Sequence, residues 1–216
     1  MMDLTGADAA LFDLDGVLVD SRVAFVASIN AALGEHGLPQ REAIELLPHL
    51  GPPLHRTMAL FAAGEEQVDA LVVSYRARYR ETMAAESAVF DGIPDALEAL
   101  AAKMPLVVAT SKSRALAEPL LEQLGLRDRF QAIHGPSLQA RDEAKSLTIA
   151  RALEGLPFAR RAVMVGDRKF DVLGARAHEL PCVGVLWGIG SEQELRDAGA
   201  VALVAEPSEL VELLGG

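Results

Sequence analysis

Six short apolar runs, residues 9–14, 106–110, 131–135, 162–166, 182–187 and 200–205, recur along this 216-residue chain with longer amphipathic stretches between them. Taken singly such runs are ambiguous, but turn residues and helical periodicity bound each of them. Strands alternating with helices predict an α/β fold, a parallel sheet covered by helices on both faces. Helix punctuation agrees. Ser191 to Glu194 (SEQE) reads as a capping box, and Gly125 reads as the C-terminal cap of a helix over residues 115–124. Pro119 inside that helix predicts a late start or a kink.

The first two runs are separated by far more than the dozen or so residues a helical crossover needs. The excess, residues 19–90, is helical in pattern and is broken by turn signals at Gly37, Gly51-Pro52-Pro53 and Gly64. Its last long helix, residues 65–86, places Leu71, Tyr75 and Tyr79 on one face. The chain therefore divides into a core, residues 1–18 and 91–216, and an inserted helical bundle, residues 19–90, hinged near 19–22 and 90–94. Half of the residues are hydrophobic and 24% are charged, as in a folded globular protein.

A net charge of −11 without a basic run argues against a nucleic-acid partner. No apolar run approaches the roughly 20 residues of a membrane span, and residues 1–10 lack the pattern of a secretory leader. The single cysteine, Cys182, excludes an internal disulfide framework, and a cytoplasmic location is expected. Five dispersed histidines offer no zinc spacing.

Ligands of open parallel sheets bind beyond the carboxyl ends of the strands, so the polar residues that follow each run carry the chemistry. After the first run come Asp13 and Asp15, two apart, then Gly16 for a tight turn. On a strand, side chains two apart share a side, so both carboxylates could converge on a hard divalent cation or divide nucleophilic and acid–base roles. Two solvated acids in a turn is the plain alternative. After the second run come Thr110, Ser111 and Lys112, either phosphate donors or a helix cap. Lys145 opens an amphipathic stretch, where an exposed lysine would be ordinary. After the fourth run come Asp167 and, one helical turn on, Asp171. A third carboxylate facing the first two would complete an oxygen-rich cation site; a helix cap is the alternative for Asp167.

The strings FDLDGVLVDS, TSK, the lysine of DEAKSLTIARAL and GDRKFD resemble, in order, the four motifs of the haloacid-dehalogenase-like (HAD) hydrolase superfamily. DGIPDALEAL, the turn at residues 51–54 and GVLWGIGSEQEL extend the similarity to phosphoglycolate-phosphatase-like members. The resemblance implies a Rossmann-like core with a helical cap and a Mg²⁺-dependent phosphatase for a small phosphorylated metabolite. Asp13 would be nucleophile and metal ligand, and Asp15 acid–base and, through its backbone carbonyl, a metal ligand. Asp167 would bind the metal directly, and Asp171 would reach it through a water or by supporting a direct ligand. Thr110 and Lys145 would hold the transferring phosphoryl group, with Lys112 a competitor for the lysine's role. Gly16, Ser111, Lys112 and the cap's Arg56 are candidate phosphate or substrate contacts, beside His55, Arg76 and Arg80. An acid at Asp15 separates this pattern from the dehalogenases, whose halide leaving group needs no proton. A phosphomutase of the β-phosphoglucomutase type shares the motifs, but its G-x-S-R cap segment is replaced here by LGPPLHR. A non-catalytic binding protein is the other alternative. Oligomeric state is not legible.

Overall fold

The structure, a computed structural model, describes residues 4–215. Residues 1–3, part of the N-terminal stretch read above as lacking a leader, and Gly216 lie outside the described residues. The chain opens with β1 (Ala9–Phe12) and a loop to the two-residue β2 (Val19–Asp20). The insertion follows as α1 (Arg22–Glu35), α2 (Ala43–Leu46), α3 (Leu54–Ala59) and α4 (Glu65–Thr82), closed by β3 (Ala88–Val89). β2 and β3 pair antiparallel, a two-rung ribbon at the foot of the helical insertion.

The remainder alternates: α5 (Ile93–Ala101), β4 (Leu106–Ala109), α6 (Arg114–Gln123), β5 (Ala132–His134), α7 (Lys145–Glu154), β6 (Ala162–Gly166), α8 (Lys169–Arg176), β7 (Cys182–Val185), α9 (Glu192–Ala198), β8 (Ala202–Val204) and α10 (Pro207–Leu214). Six strands form one parallel sheet in the order β5-β4-β1-β6-β7-β8. This is the α/β fold that the alternation predicts.

The period of two along each strand sorts side chains into two cores. Ala10, Phe12, Leu106 and Val108 pack with Leu97, Leu120 and Leu210 from α5, α6 and α10. Ala9, Leu11, Val107 and Met164 pack with Ile149, Val172 and Leu195 from α7, α8 and α9. The first core runs on into the insertion through Phe25, Leu33, Leu71 and Tyr79, so the two parts share apolar contact. Burying each such aliphatic side chain contributes roughly 1.5–3 kcal/mol.

Three local expectations need correction. The helix containing Pro119 begins at Arg114 and continues through the proline, which sits half-exposed on its outer side. The SEQE segment forms half of a capping box: Ser191 Oγ accepts from the Glu194 N–H at 3.1 Å. The Glu194 carboxylate turns instead to Arg168 Nε and to the Lys169 N–H, each at 2.9 Å, where it meets a positive charge. The strands are also shorter than most of the apolar runs. β1 stops at Phe12, before both acids.

Candidate active site

β1 lies between β4 and β6, so the residues that follow these three strands are neighbours although they are about 150 positions apart in the chain. The Asp13 N–H donates to Val165 O at 2.9 Å, which ties the first residue beyond β1 to β6. The Thr110 N–H donates to His134 O at 2.9 Å and holds the residue after β4 to β5. Asp13, Thr110 and Asp167 are all buried at this end of the sheet.

Asp13, Asp167 and Asp171 form one buried cluster, with one carboxylate oxygen of each within 4.8 Å of the others. Lys145, the first residue of α7, reaches in with its ammonium 2.8 Å from Asp13 Oδ1 and 2.7 Å from Asp171 Oδ1. Burial works against the lysine's charge, yet the two carboxylates outweigh it and raise its pKa. Burial raises the Asp171 pKa to about 6 despite the adjacent lysine. Burial, with Asp171 and Asp13 beside it, raises that of Asp167 well above the usual carboxylate value.

Asp167 is the member short of partners. Its Oδ2 accepts from the Ile189 N–H at 2.7 Å, while its Oδ1 is buried without a hydrogen bond. Three carboxylates against one ammonium leave an excess of negative charge, which is costly out of water. An all-oxygen donor set with an unpaired buried oxygen fits a hard divalent cation.

Glycines surround this cluster. Gly16 has φ +82°, and a Cβ there would fall within the Asp167 carboxylate. A Cβ at Gly188 would meet the Asp167 side chain and the Gly16 carbonyl. Gly188→Ala is therefore expected to cost about 1–3 kcal/mol through overpacking. Urea denaturation checks this, and an unchanged midpoint would show that the loop yields freely.

Asp15 stands outside the cluster, which corrects the expectation of two converging carboxylates. Because β1 ends at Phe12, loop geometry rather than strand pleat directs the second acid. Its Oδ1 accepts from Ser21 Oγ at 2.5 Å, and its Oδ2 lies 2.9 Å from Lys112 Nζ. Lys112 also donates to the Tyr79 hydroxyl at 2.6 Å. The two lysines thus serve different acids, Lys145 the Asp13 cluster and Lys112 Asp15. The Lys112 N–H donates to Thr110 Oγ1 at 3.2 Å.

A cleft between insertion and core is lined by Asp13, Asp15, Thr110, Ser111 and Lys112 on one side and by His55, Tyr75, Arg76 and Tyr79 on the other. Arg56 does not line it; its guanidinium pairs with Asp142 at 2.6 Å at an exposed seam. Arg80 is exposed as well. Arg76 turns one nitrogen to Leu138 O at 2.8 Å. Burial, then Arg76 and Arg141, lower the His55 pKa. Several contributors escape a reading of the sequence. Arg141 lines the cleft and pairs with Asp69 of α4 at 2.8 Å. Arg168 crosses to the Leu50 carbonyl at 2.5 Å. The spaced glycines of WGIG were the one available signal for Gly188.

An open parallel sheet whose strand ends gather three acids and a lysine beneath a helical insertion defines an α/β enzyme core with a cation-suited centre. The haloacid dehalogenase-like hydrolase family model matches residues 10–185, and the chain belongs to that family. It is 39% identical over 190 residues to a 5'-nucleotidase of Pseudomonas aeruginosa, covering 86% of each chain. It is also 39% identical over 210 residues to the tyrosine-protein kinase PtkA of Mycobacterium tuberculosis, covering 95% of this chain and 72% of that one. A phosphoglycolate phosphatase of Chromobacterium violaceum is 34% identical over 223 residues, 99% of each. The crystal structure of a predicted phosphatase from Clostridium acetobutylicum superposes with a TM-score of 0.88 at 35% identity, covering 95% of this chain and 97% of that one. Among the described residues no helix is long and apolar enough to cross a membrane.

Proposed function

We propose that this protein is a magnesium-dependent phosphomonoester hydrolase for a small phosphorylated metabolite, phosphoglycolate-phosphatase-like, working through an aspartyl-phosphate on Asp13. The observation that carries the reading is the Lys145–Asp13 ion pair inside the three-carboxylate cluster, with Asp15 held apart from it on the same cleft. Residues 19–90 would act as the cap and the rest of the chain as the catalytic core.

Asp13 attacks phosphorus while the bond from phosphorus to the ester oxygen breaks, and Asp15 gives that oxygen its proton. Asp15 then takes a proton from the water that cleaves the aspartyl-phosphate, which releases phosphate and restores Asp13. Lys145, Thr110 and Ser111 hold phosphoryl oxygens as charge redistributes. Mg²⁺, held by Asp13, Asp167 and the Asp15 carbonyl, would offset the charge that acid and phosphate bring together. General acid–base help is worth roughly 10²–10⁴ in rate.

Phosphate release from a panel of small phosphomonoesters, with Mg²⁺ and with EDTA, tests the reading. Magnesium-dependent release is expected; equal release in EDTA would remove the metal from the reaction, and none from any ester would remove the hydrolase. Binding can be read without turnover. Magnesium at 100 times its Kd stabilises a protein by about 2.7 kcal/mol, or roughly 5–10 °C in Tm at this size. Asp167→Ala is expected to lose most of that rise, and an undiminished rise would take Asp167 out of the ligand set.

A further inference from the structure

We propose that Lys112 is a positioning residue for the acid–base group: docked against Tyr79 of the cap, it fixes the Asp15 carboxylate in its working orientation. The inference rests on the hydrolase reading above and adds a role that reading does not contain.

Both oxygens of Asp15 are held by separate groups, Oδ1 by Ser21 at 2.5 Å and Oδ2 by Lys112 at 2.9 Å. A carboxylate gripped at each oxygen cannot rotate about its last torsion without breaking one contact. The lysine is itself confined. Its side chain is 8% exposed, its nitrogen lies 4.3 Å from the Tyr79 ring centroid, and it donates to the Tyr79 hydroxyl at 2.6 Å. Tyr79 is fully buried and stacks on Tyr75 at 5.5 Å, which in turn meets Phe25 edge-on.

These groups come from four places. Asp15 lies in the loop after β1, Ser21 just before α1, Tyr79 on α4 and Lys112 in the loop after β4. Asp15 and Lys112 both belong to the core, and Tyr79 of α4 is the contact by which the helical insertion holds the lysine against the acid. Lys112 touches neither Asp13 nor its cluster in any ion pair among the described residues, whereas Lys145 touches both Asp13 and Asp171. Lys112 thus acts through Asp15 and affects the step in which the ester oxygen needs a proton. Misplacing a reacting group by about 1 Å can cost on the order of 10²-fold in rate.

The experiment compares phenyl phosphate with p-nitrophenyl phosphate, whose nitrophenolate leaves with little need of a proton. Lys112→Met retains the stem and removes the ammonium. Its kcat/KM on phenyl phosphate, which reports only the steps up to release of the phenol and not the later attack of water, is expected to fall by about 10²-fold, with that on the nitrophenyl ester reduced far less. Tyr79→Phe retains the ring and should shift the same ratio in the same direction by less, which guards against a poorly folded lysine variant. Equal loss on both esters would overturn the proposal. So would a raised KM at constant kcat, the signature of direct phosphoryl binding by Lys112. Wild-type turnover with either of those results removes only this inference, whereas silence of the wild type on both esters removes the hydrolase reading and this inference with it.

Discussion

Asp13→Asn is expected to reduce phosphate release by about 10⁴-fold or more, as befits loss of a group that forms the covalent intermediate. The fold should survive the change. Asparagine preserves the oxygen that accepts the Leu14 N–H at 2.7 Å, and it removes one of three crowded negative charges. Thermal denaturation of the variant should therefore show a Tm close to, or above, that of the metal-free wild type. A variant with near wild-type turnover would overturn the nucleophile assignment, and one that fails to fold would show that the Lys145–Asp13 pair is structural.

Lys145→Met should impair both activity and stability, which distinguishes it from Asp13→Asn. The side chain is 4% exposed and its ammonium is the cation placed between Asp13 and Asp171. Breaking a buried ion pair from one side typically costs about 3–5 kcal/mol, because the remaining charges are left uncompensated. Turnover should fall by about 10²–10³-fold with the loss of a donor to the transferring group. The stability loss should be largest in EDTA and smaller in Mg²⁺, since either cation relieves the same repulsion. Urea denaturation with and without magnesium checks this, and an unchanged midpoint in EDTA would show that the carboxylates do not depend on the lysine.

The contrast between the two lysines shows what could be read in advance and what could not. Both were visible as strand-end or helix-start lysines near polar motifs, and both were candidates for one role. Nothing in local sequence states which acid each would meet. That depends on α7 running alongside β4, β5 and α8 on one side, and on Tyr79 of α4 meeting the loop after β4 on the other. The paired acids make the same point on a smaller scale. Their spacing of two would bring them together on a strand, but the strand ends at Phe12, before either acid.

What the sequence by itself determined was the scaffold. Strands buried on both faces must be apolar throughout, and helices that cover them must be amphipathic, so the alternation along the chain already specifies the parallel sheet. Asp13, Thr110 and Asp167 could be marked as candidates because polar groups are tolerated where a buried strand meets the loop beyond it. The tertiary structure alone decided the pairings. Strand order brings residues 13, 110 and 167 to one place, and the glycines at 16 and 188 leave the space that the Asp167 carboxylate fills. The docked insertion puts Tyr79 against Lys112 and Arg76 into the cleft while Arg56 turns out to Asp142. Such contacts join residues many turns apart in the chain, and their energies depend on distance and burial, which no local pattern encodes.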